Sequence, residues 1–261
     1  MVEEALAVRY GTLRSTKSRL YHRYESYGEP DAEESLDYYF WVLRDGPRVR
    51  LVDTGFDPAV AARRGRTCLC PPREALARIG VEPAAVSQVI LTHFHYDHVG
   101  NLDAFEHAEL VVPRRELDFW TGPVARHAQF AEHVEPREIA RVAAAHGEGR
   151  VRTIAGRTEL APGLTAVTVG GHSPGQQILL VETAGGLLVL ASDAVHLYEE
   201  LELGRPFAIV ADLEEMCLAY ELLRRLAAES HAIVVPGHDP AVMTRFPSLS
   251  VEAGGLAVRL A

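Results

Sequence analysis

Thr92-His93-Phe94-His95-Tyr96-Asp97-His98 directly follows the apolar run Val86 to Leu91, and it places three histidines and an aspartate within six residues. In an extended segment, residues two apart project to the same side. His93 and His95 therefore present their imidazoles together, and Asp97 and His98 follow where the chain can turn into a helix. A lone histidine in a chain with twelve is ordinarily a surface or satisfied core residue. This cluster has no economical core explanation, because burying so many polar groups unpaired costs on the order of several kcal/mol. A metal site uses every member of it.

Three further residues extend the pattern. His172 lies in Gly170-Gly171-His172-Ser173-Pro174-Gly175, after the run Leu164 to Val169. The glycines there permit close backbone approach and the Pro-Gly pair makes a turn. Asp193 follows Leu187 to Ala191; alone it reads as a turn or helix N-cap, but its two oxygens can bridge two cations. His238 sits in Val235-Pro236-Gly237-His238-Asp239-Pro240, again after an apolar run. Seven candidate ligands, each just past an apolar segment, point to a dinuclear metal site.

The rest of the chain reads as interleaved strands and helices. Strands are expected at Asp37 to Leu43, Val49 to Val52, Val86 to Leu91, Leu110 to Val112, Leu164 to Val169, Ile178 to Val181, Leu187 to Ala191 and Ala232 to Val235. Helices are expected at Pro72 to Ile79, Arg114 to Trp120, Glu135 to Ala145 and Leu213 to Ala228, the last with Asp212 as N-cap. Arg19 to Glu34 and Trp120 to Val134 are irregular, as loops or helical inserts over a pocket would be. No low-complexity linker or repeat divides the chain, so residues 1–261 are expected to form a single domain.

A length of 261 residues with 48% hydrophobic content can fill a sizeable core. Lys plus Arg at 26 against Asp plus Glu at 36 gives a net charge of −10, with no long basic block, which argues against nucleic acid or an anionic membrane as partner. The start of the chain, Met1 to Gly11, lacks the marks of a secretory signal, and no stretch is long and apolar enough to span a bilayer. The expectation is a soluble cytoplasmic protein. Cys68, Cys70 and Cys217 form no disulfide framework, and Cys68-Leu69-Cys70 reads as a plain thiol pair rather than a soft-metal site.

Taken in order, His93-x-His95-x-Asp97-His98, His172, Asp193 and His238 resemble the ligand series of the metallo-β-lactamase superfamily, over nearly the whole chain. The resemblance implies an α/β fold of the αβ/βα sandwich type, two mixed β-sheets flanked by helices. It implies that His93, His95 and His172 hold one divalent ion, that Asp97, His98 and His238 hold the second, and that Asp193 bridges them. Asp53, in Leu51-Val52-Asp53-Thr54-Gly55, matches a position that supports the ligand loop; on its own it reads as a turn residue. Zinc is the expected metal, although the same donors suit manganese, iron and cobalt. Two such ions roughly 3.5 Å apart can hold a bridging hydroxide at neutral pH. Asp97 is then placed to orient it and carry a proton to the leaving group.

Within the superfamily, Thr92 to Asn101, Gly171 to Gly175, Ser192 to Ala194 and Pro236 to Pro240 are most similar to the quorum-quenching N-acyl homoserine lactonases. That group usually places a tyrosine three residues after the bridging aspartate, where this chain has His196. His196 can donate to an oxyanion or can be a helix residue facing solvent, and Tyr198 is a second candidate for the tyrosine's role. Tyr21, Tyr27, Phe119, Trp120 and Phe207 can line an acyl pocket, though aromatics at these spacings are more often packing. The expected reaction is the opening of a small lactone or related carboxylic ester. The alternative is a glyoxalase-II-like thioesterase or a phosphodiesterase on the same metal pair. The thioesterase ranks lower because Val251 to Ala261 carries only Arg259 as a basic residue. A binding module with structural metals ranks lowest, because such sites are usually closed and cysteine-rich.

Overall fold

The computed structural model describes residues 1–249 and 253–261. Its strands are β1 (Glu4–Thr16), β2 (Glu33–Asp45), β3 (Arg48–Val52), β4 (Thr67–Cys68), β5 (Val86–Ile90), β6 (Glu109–Pro113), β7 (Val151–Ile154), β8 (Arg157–Ala161), β9 (Leu164–Thr168), β10 (Gln177–Thr183), β11 (Gly186–Ser192), β12 (Ile233–Pro236) and β13 (Ala257–Arg259). Every expected strand is present. β1, as long as β2 at 13 residues, had no counterpart among the expected strands, and β4, β7, β8 and β13 are likewise additions.

One sheet runs β13-β1-β2-β3-β5-β6-β7, with β4 paired to β1, and the other runs β12-β11-β10-β9-β8. Both are mixed. β3, β5, β6 and β7 pair in parallel, as do β11 and β12, and the remaining pairs are antiparallel. Alternation along the strands builds the layers. In β2, Tyr39, Trp41 and Leu43 face the core between the sheets, where they meet Leu179, Val181, Leu188 and Leu190. Tyr38, Phe40 and Val42 face outward to a second core closed by Ala75, Leu76, Leu117 and Val142. Those four come from the helices Pro72–Arg78, Arg114–Thr121 and Pro136–Gly147. On the far side, Ile178, Leu180 and Val189 pack against Met216, Ala219 and Leu223 of the helix Leu213–Ser230. Helix, sheet, sheet, helix is the αβ/βα order.

β1 explains why it escaped the expectation. Ala5 and Ala7 point into the inter-sheet core while Leu6, Val8 and Tyr10 point out, so small inward residues weaken the apolar signal of a strand buried on both faces. Gly11 interrupts it further. A Cβ at Gly11 would lie 2.8 Å from Phe56 Cζ, so the glycine is required where the β1–β2 register shifts.

The irregular segments are short helical pieces, Lys17–Leu20 and Tyr24–Tyr27 in the first, Val124–Arg126 and Ala128–Ala131 in the second. Both border cavities at the sheet ends. Val251 lies outside the described residues; Arg259 lies within β13 and pairs with Glu4 at 2.8 Å. No helix among the described residues is long and apolar enough to cross a membrane.

Candidate metal centre

The chain leaves β5 and turns once. The amides of His98 and Val99 both donate to the His95 carbonyl at 3.0 Å, but no helix follows, contrary to the expectation for Asp97 and His98. The reason is competition: the His98 carbonyl, which a helix would offer to residue 102, accepts instead from the Thr54 amide at 2.9 Å. The turn aims four side chains at one point.

The structure brings all seven expected ligands together. Ligand atoms of His93, His95 and His172 lie within 4.8 Å of one another, and so do those of Asp97, His98 and His238. Asp193 sits between the sets, its Oδ1 3.1 Å from the Nε2 atoms of His98 and His238 and its Oδ2 3.3 Å from His172 Nε2. Every one of the seven is buried.

Outer partners fix the imidazoles. A carbonyl oxygen can only accept, so Nδ1–H of His172 donates to Ile209 O at 2.9 Å and Nδ1–H of His238 to Asp37 O at 2.9 Å. Both Nε2 atoms are thereby left facing the centre. His98 Nδ1 donates to Asp53 Oδ2 at 2.7 Å. Asp53, in the left-handed region at φ 62°, also accepts from the Thr92 amide at 2.8 Å and from its hydroxyl at 2.7 Å. It therefore locks the end of β3 to the ligand loop. Gly237 beside His238 leaves room for Asp193, since a Cβ there would lie 2.8 Å from Asp193 Oδ1.

The donor set fits a pair of divalent cations. His93 Nε2 and His98 Nε2 are buried without a hydrogen-bond partner, and His95 Nδ1 faces His172 Nε2 at 2.8 Å. Orphaned and mutually facing nitrogens are costly unless an electrophile sits among them. Burial pushes the His93, His95 and His172 imidazoles well below their ordinary value, which keeps them in the neutral, ligating form. Burial opposes ionisation of Asp193, but His238, His98 and His196 outweigh it and hold the carboxylate well below its usual range.

His196 belongs to the same cluster. It does not face solvent: Nε2 lies 3.1 Å from Asp193 Oδ2, and the ring stacks on Phe207 at 3.6 Å. Burial disfavours its charged form, but Asp193 and Glu200 prevail and push it up to about 9. Tyr198 lines neither cavity at the site; its ring lies under the Arg245 guanidinium at 3.6 Å. Of the aromatics considered, Phe207 lines one cavity and Trp120 the other, whereas Tyr21, Tyr27 and Phe119 line neither.

Glu116 had no place in the expectation. Fully buried on the helix Arg114–Thr121, it accepts from the Phe94 amide at 2.9 Å, the Gly175 amide at 2.7 Å, the Ser173 hydroxyl and Trp120 Nε1. One carboxylate thus straps the His93–His95 segment to the His172 turn. Burial pushes it above the usual carboxylate value, while the four donors pull the other way. The sequence holds one signal for it, a glutamate on the inward face of an amphipathic helix, where a hydrocarbon residue is expected.

Fold and site together define a metallo-β-lactamase-type protein, and residues 37–238 match the metallo-beta-lactamase superfamily. The chain belongs to that family. It is 30% identical to an N-acyl homoserine lactonase of Bacillus cereus over 165 residues, 63% of this chain and 60% of the lactonase. The match thus spans less than two thirds of that relative's length. Metallo-beta-lactamase domain-containing protein 1 of Xenopus laevis is 30% identical over 200 residues, 76% of this chain and 70% of that protein. The crystal structure of a quorum-quenching N-acyl homoserine lactone lactonase superposes with a TM-score of 0.75 at 24% identity, covering 92% of this chain and 93% of the other.

Proposed function

We propose that this protein is a hydrolase that opens lactones or related carboxylic esters at two divalent metal ions, zinc in the first instance. In this reading His93, His95 and His172 hold one ion, Asp97, His98 and His238 hold the other, and Asp193 bridges. The observation that carries it is the convergence of buried, partnerless imidazole nitrogens on one carboxylate at the edge of a cavity of about 390 Å³. When bound, the ions lower the pKa of water and polarise the substrate's carbonyl. The lactone preference rests on the Bacillus cereus relative.

The chain's own groups do the rest. Asp97 lies at the cavity wall, its Oδ2 3.8 Å from the Nε2 atoms of His98 and His238. From there it orients the attacking water and passes a proton to the leaving oxygen. His196, with Nε2 3.1 Å from Asp193 Oδ2, donates from that nitrogen to the oxygen that becomes negative in the transition state. Ligands from both sheets must meet for this to work, so residues 1–261 act as one domain. A cytoplasmic location remains the reading of the sequence.

The test is hydrolysis of an N-acyl homoserine lactone by metal-analysed protein, followed by pH-stat titration, with a thioester and an aryl phosphodiester in parallel. Lactone turnover well above the other two supports the proposal. Silence on lactones with activity elsewhere moves the function to the thioesterase or phosphodiesterase on the same metals. One feature favours keeping that second reading: arginines stand on the cavity wall.

A further inference from the structure

His95 and His172 line two cavities at once, so the candidate centre lies at their junction. A bond cleaved there has one cavity on each side, and the two differ in chemistry. The larger, about 640 Å³, is walled by Trp120, Phe130, Pro174, Ile209 and Val210. The smaller, about 390 Å³, carries Arg14, Arg19, Arg64 and Arg66 beside the carboxylates Asp97 and Glu132.

The arginines of this chain divide into ion-paired ones and others, Arg48, Arg126 and Arg157 among them, for which no ion pair is found among the described residues. Net charge is −10, and Arg9, Arg44, Arg63, Arg73, Arg115 and Arg137 all pair with carboxylates. Arg64 follows that pattern, bound to Glu135 at 2.9 Å. Arg66, Arg14 and Arg19 do not: no carboxylate lies within ion-pair distance of them among the described residues. Arg66 is only half-exposed, and its guanidinium is aimed by two neutral contacts, Nε donating to Tyr96 Oη at 2.9 Å and Nη1 to Arg64 O at 2.8 Å. Tyr96 in turn lies 3.4 Å from Tyr38 Oη, and the Tyr38 ring meets His238 at 5.2 Å, so this cation is positioned from the same shell as the metal ligands. Asp97 acts on it electrostatically but lies beyond ion-pair distance, so a half-buried guanidinium whose hydrogen-bond partners are all neutral keeps donors for an anion.

Resting on the carboxylic-ester part of the hydrolase reading above, since opening a lactone releases no separate half, we propose that the substrate is an amphipathic open-chain ester: an apolar acyl half occupies the larger cavity, and the half that leaves bears a compact oxyanion, a carboxylate or a phosphate, bound by Arg66 and Arg14. Arg66 and Arg14 are specificity-determining residues in this assignment. The neutral contacts of Arg66 leave Nη2 free to donate, and Arg14, exposed at the rim, supplies the second cation.

Three hexanoyl esters matched in shape test this: those of 4-hydroxybenzoate, 4-hydroxyphenylphosphonate and neutral 4-hydroxybenzamide, given to the metal-loaded enzyme. Either anionic ester should exceed the benzamide ester in kcat/KM by about tenfold or more, chiefly through KM, as charge-assisted hydrogen bonds predict. Which anion wins separates carboxylate from phosphate. In Arg66→Gln and in Arg14→Gln that ratio should fall toward one; a loss of Arg66 as a mere prop for Tyr96 would lower all three esters alike and leave the ratio intact. Equal turnover of the three esters by the wild type, or a ratio unmoved in both variants, overturns the proposal. Failure of all three esters would instead count against the open-chain ester part of the hydrolase reading and leave lactone opening to its own test. Calorimetric titration with the non-cleavable 4-hexanamidobenzoate and 4-hexanamidobenzamide then decides: tighter binding of the anion that both variants lose supports the assignment, and equal binding sinks it.

Discussion

The two halves of the candidate centre are built in opposite ways. The first sheet contributes His93, His95, Asp97 and His98 from one turn, tied to the end of β3 by the Asp53 carboxylate through three hydrogen bonds. The second sheet contributes His172, Asp193 and His238 from three separate strand ends. Two of these are held by main-chain carbonyls: Ile209 O for His172, and Asp37 O, which lies in β2 of the opposite sheet, for His238. One half is thus organised by local sequence and the other by the closing of the sandwich. A centre of this kind is complete only when the inter-sheet core has formed.

The largest effects should come from removing the point where the halves meet. Asp193→Asn or His172→Ala should abolish detectable turnover and lower bound metal, measured by elemental analysis of the purified protein. Retention of both metals at full occupancy would break the proposed bridging role. Chelation should remove activity while the far-ultraviolet circular dichroism survives, because the three apolar cores contain none of the seven ligands. Collapse of the fold together with activity would instead make the metals structural.

The next largest effect should come from His196, which touches the centre only from the second-sheet side. His196→Phe should lower kcat by roughly 10²-fold with both metals retained, the cost typical of one lost oxyanion donor. If metal content falls as well, His196 is a ligand alongside His172 and Asp193, a grouping its geometry also permits. Full activity would remove it from the mechanism.

The same contrast explains what could be read in advance. The His93–His98 turn was legible because its ligands are contiguous and carry no apolar alternative. His172, Asp193 and His238 were legible as chemistry only through their order and the resemblance it carries; Asp193 alone reads as a turn residue. Most strands announced themselves by apolar runs, but β1 did not, since its inward Ala5 and Ala7 are small where the sheets approach. The missing helix after His98 depends on a hydrogen bond from Thr54, distant in sequence and near only in the fold. Glu116 was legible only as a glutamate on the inward face of its helix, and its partners were not, for the same reason. A glutamate on a helix is ordinarily solvated, and nothing local says that four donors from three segments converge on it.

Glu116 gives a sharper test of how the halves are joined. All of its partners donate, so both carboxylate oxygens must accept; Glu116→Gln turns one of them into an NH₂ group facing another donor. Metal affinity should fall about tenfold, as for other outer partners of metal ligands, with a parallel loss of thermal stability. Competition with a metal-binding dye would measure the first and thermal unfolding the second. An unchanged affinity would show that the His172 turn needs no strap from the first sheet.

The smallest effect expected is at Asp212, which supports the same turn from the other direction. Its carboxylate caps the helix Leu213–Ser230 by accepting from the Glu215 amide at 2.9 Å, and its own amide donates to Gly171 O at 2.9 Å. Asp212→Ala removes the cap and keeps the amide, so it should cost about 1 kcal/mol of stability. kcat and metal content should stay within experimental error, because the contact to the ligand turn is main-chain. The packing there is tight independently of the cap: a Cβ on Gly171 would lie 2.6 Å from the Met216 Cα. A drop in activity comparable to that of Glu116→Gln would mean that the helix, and not the glutamate strap, sets the position of His172.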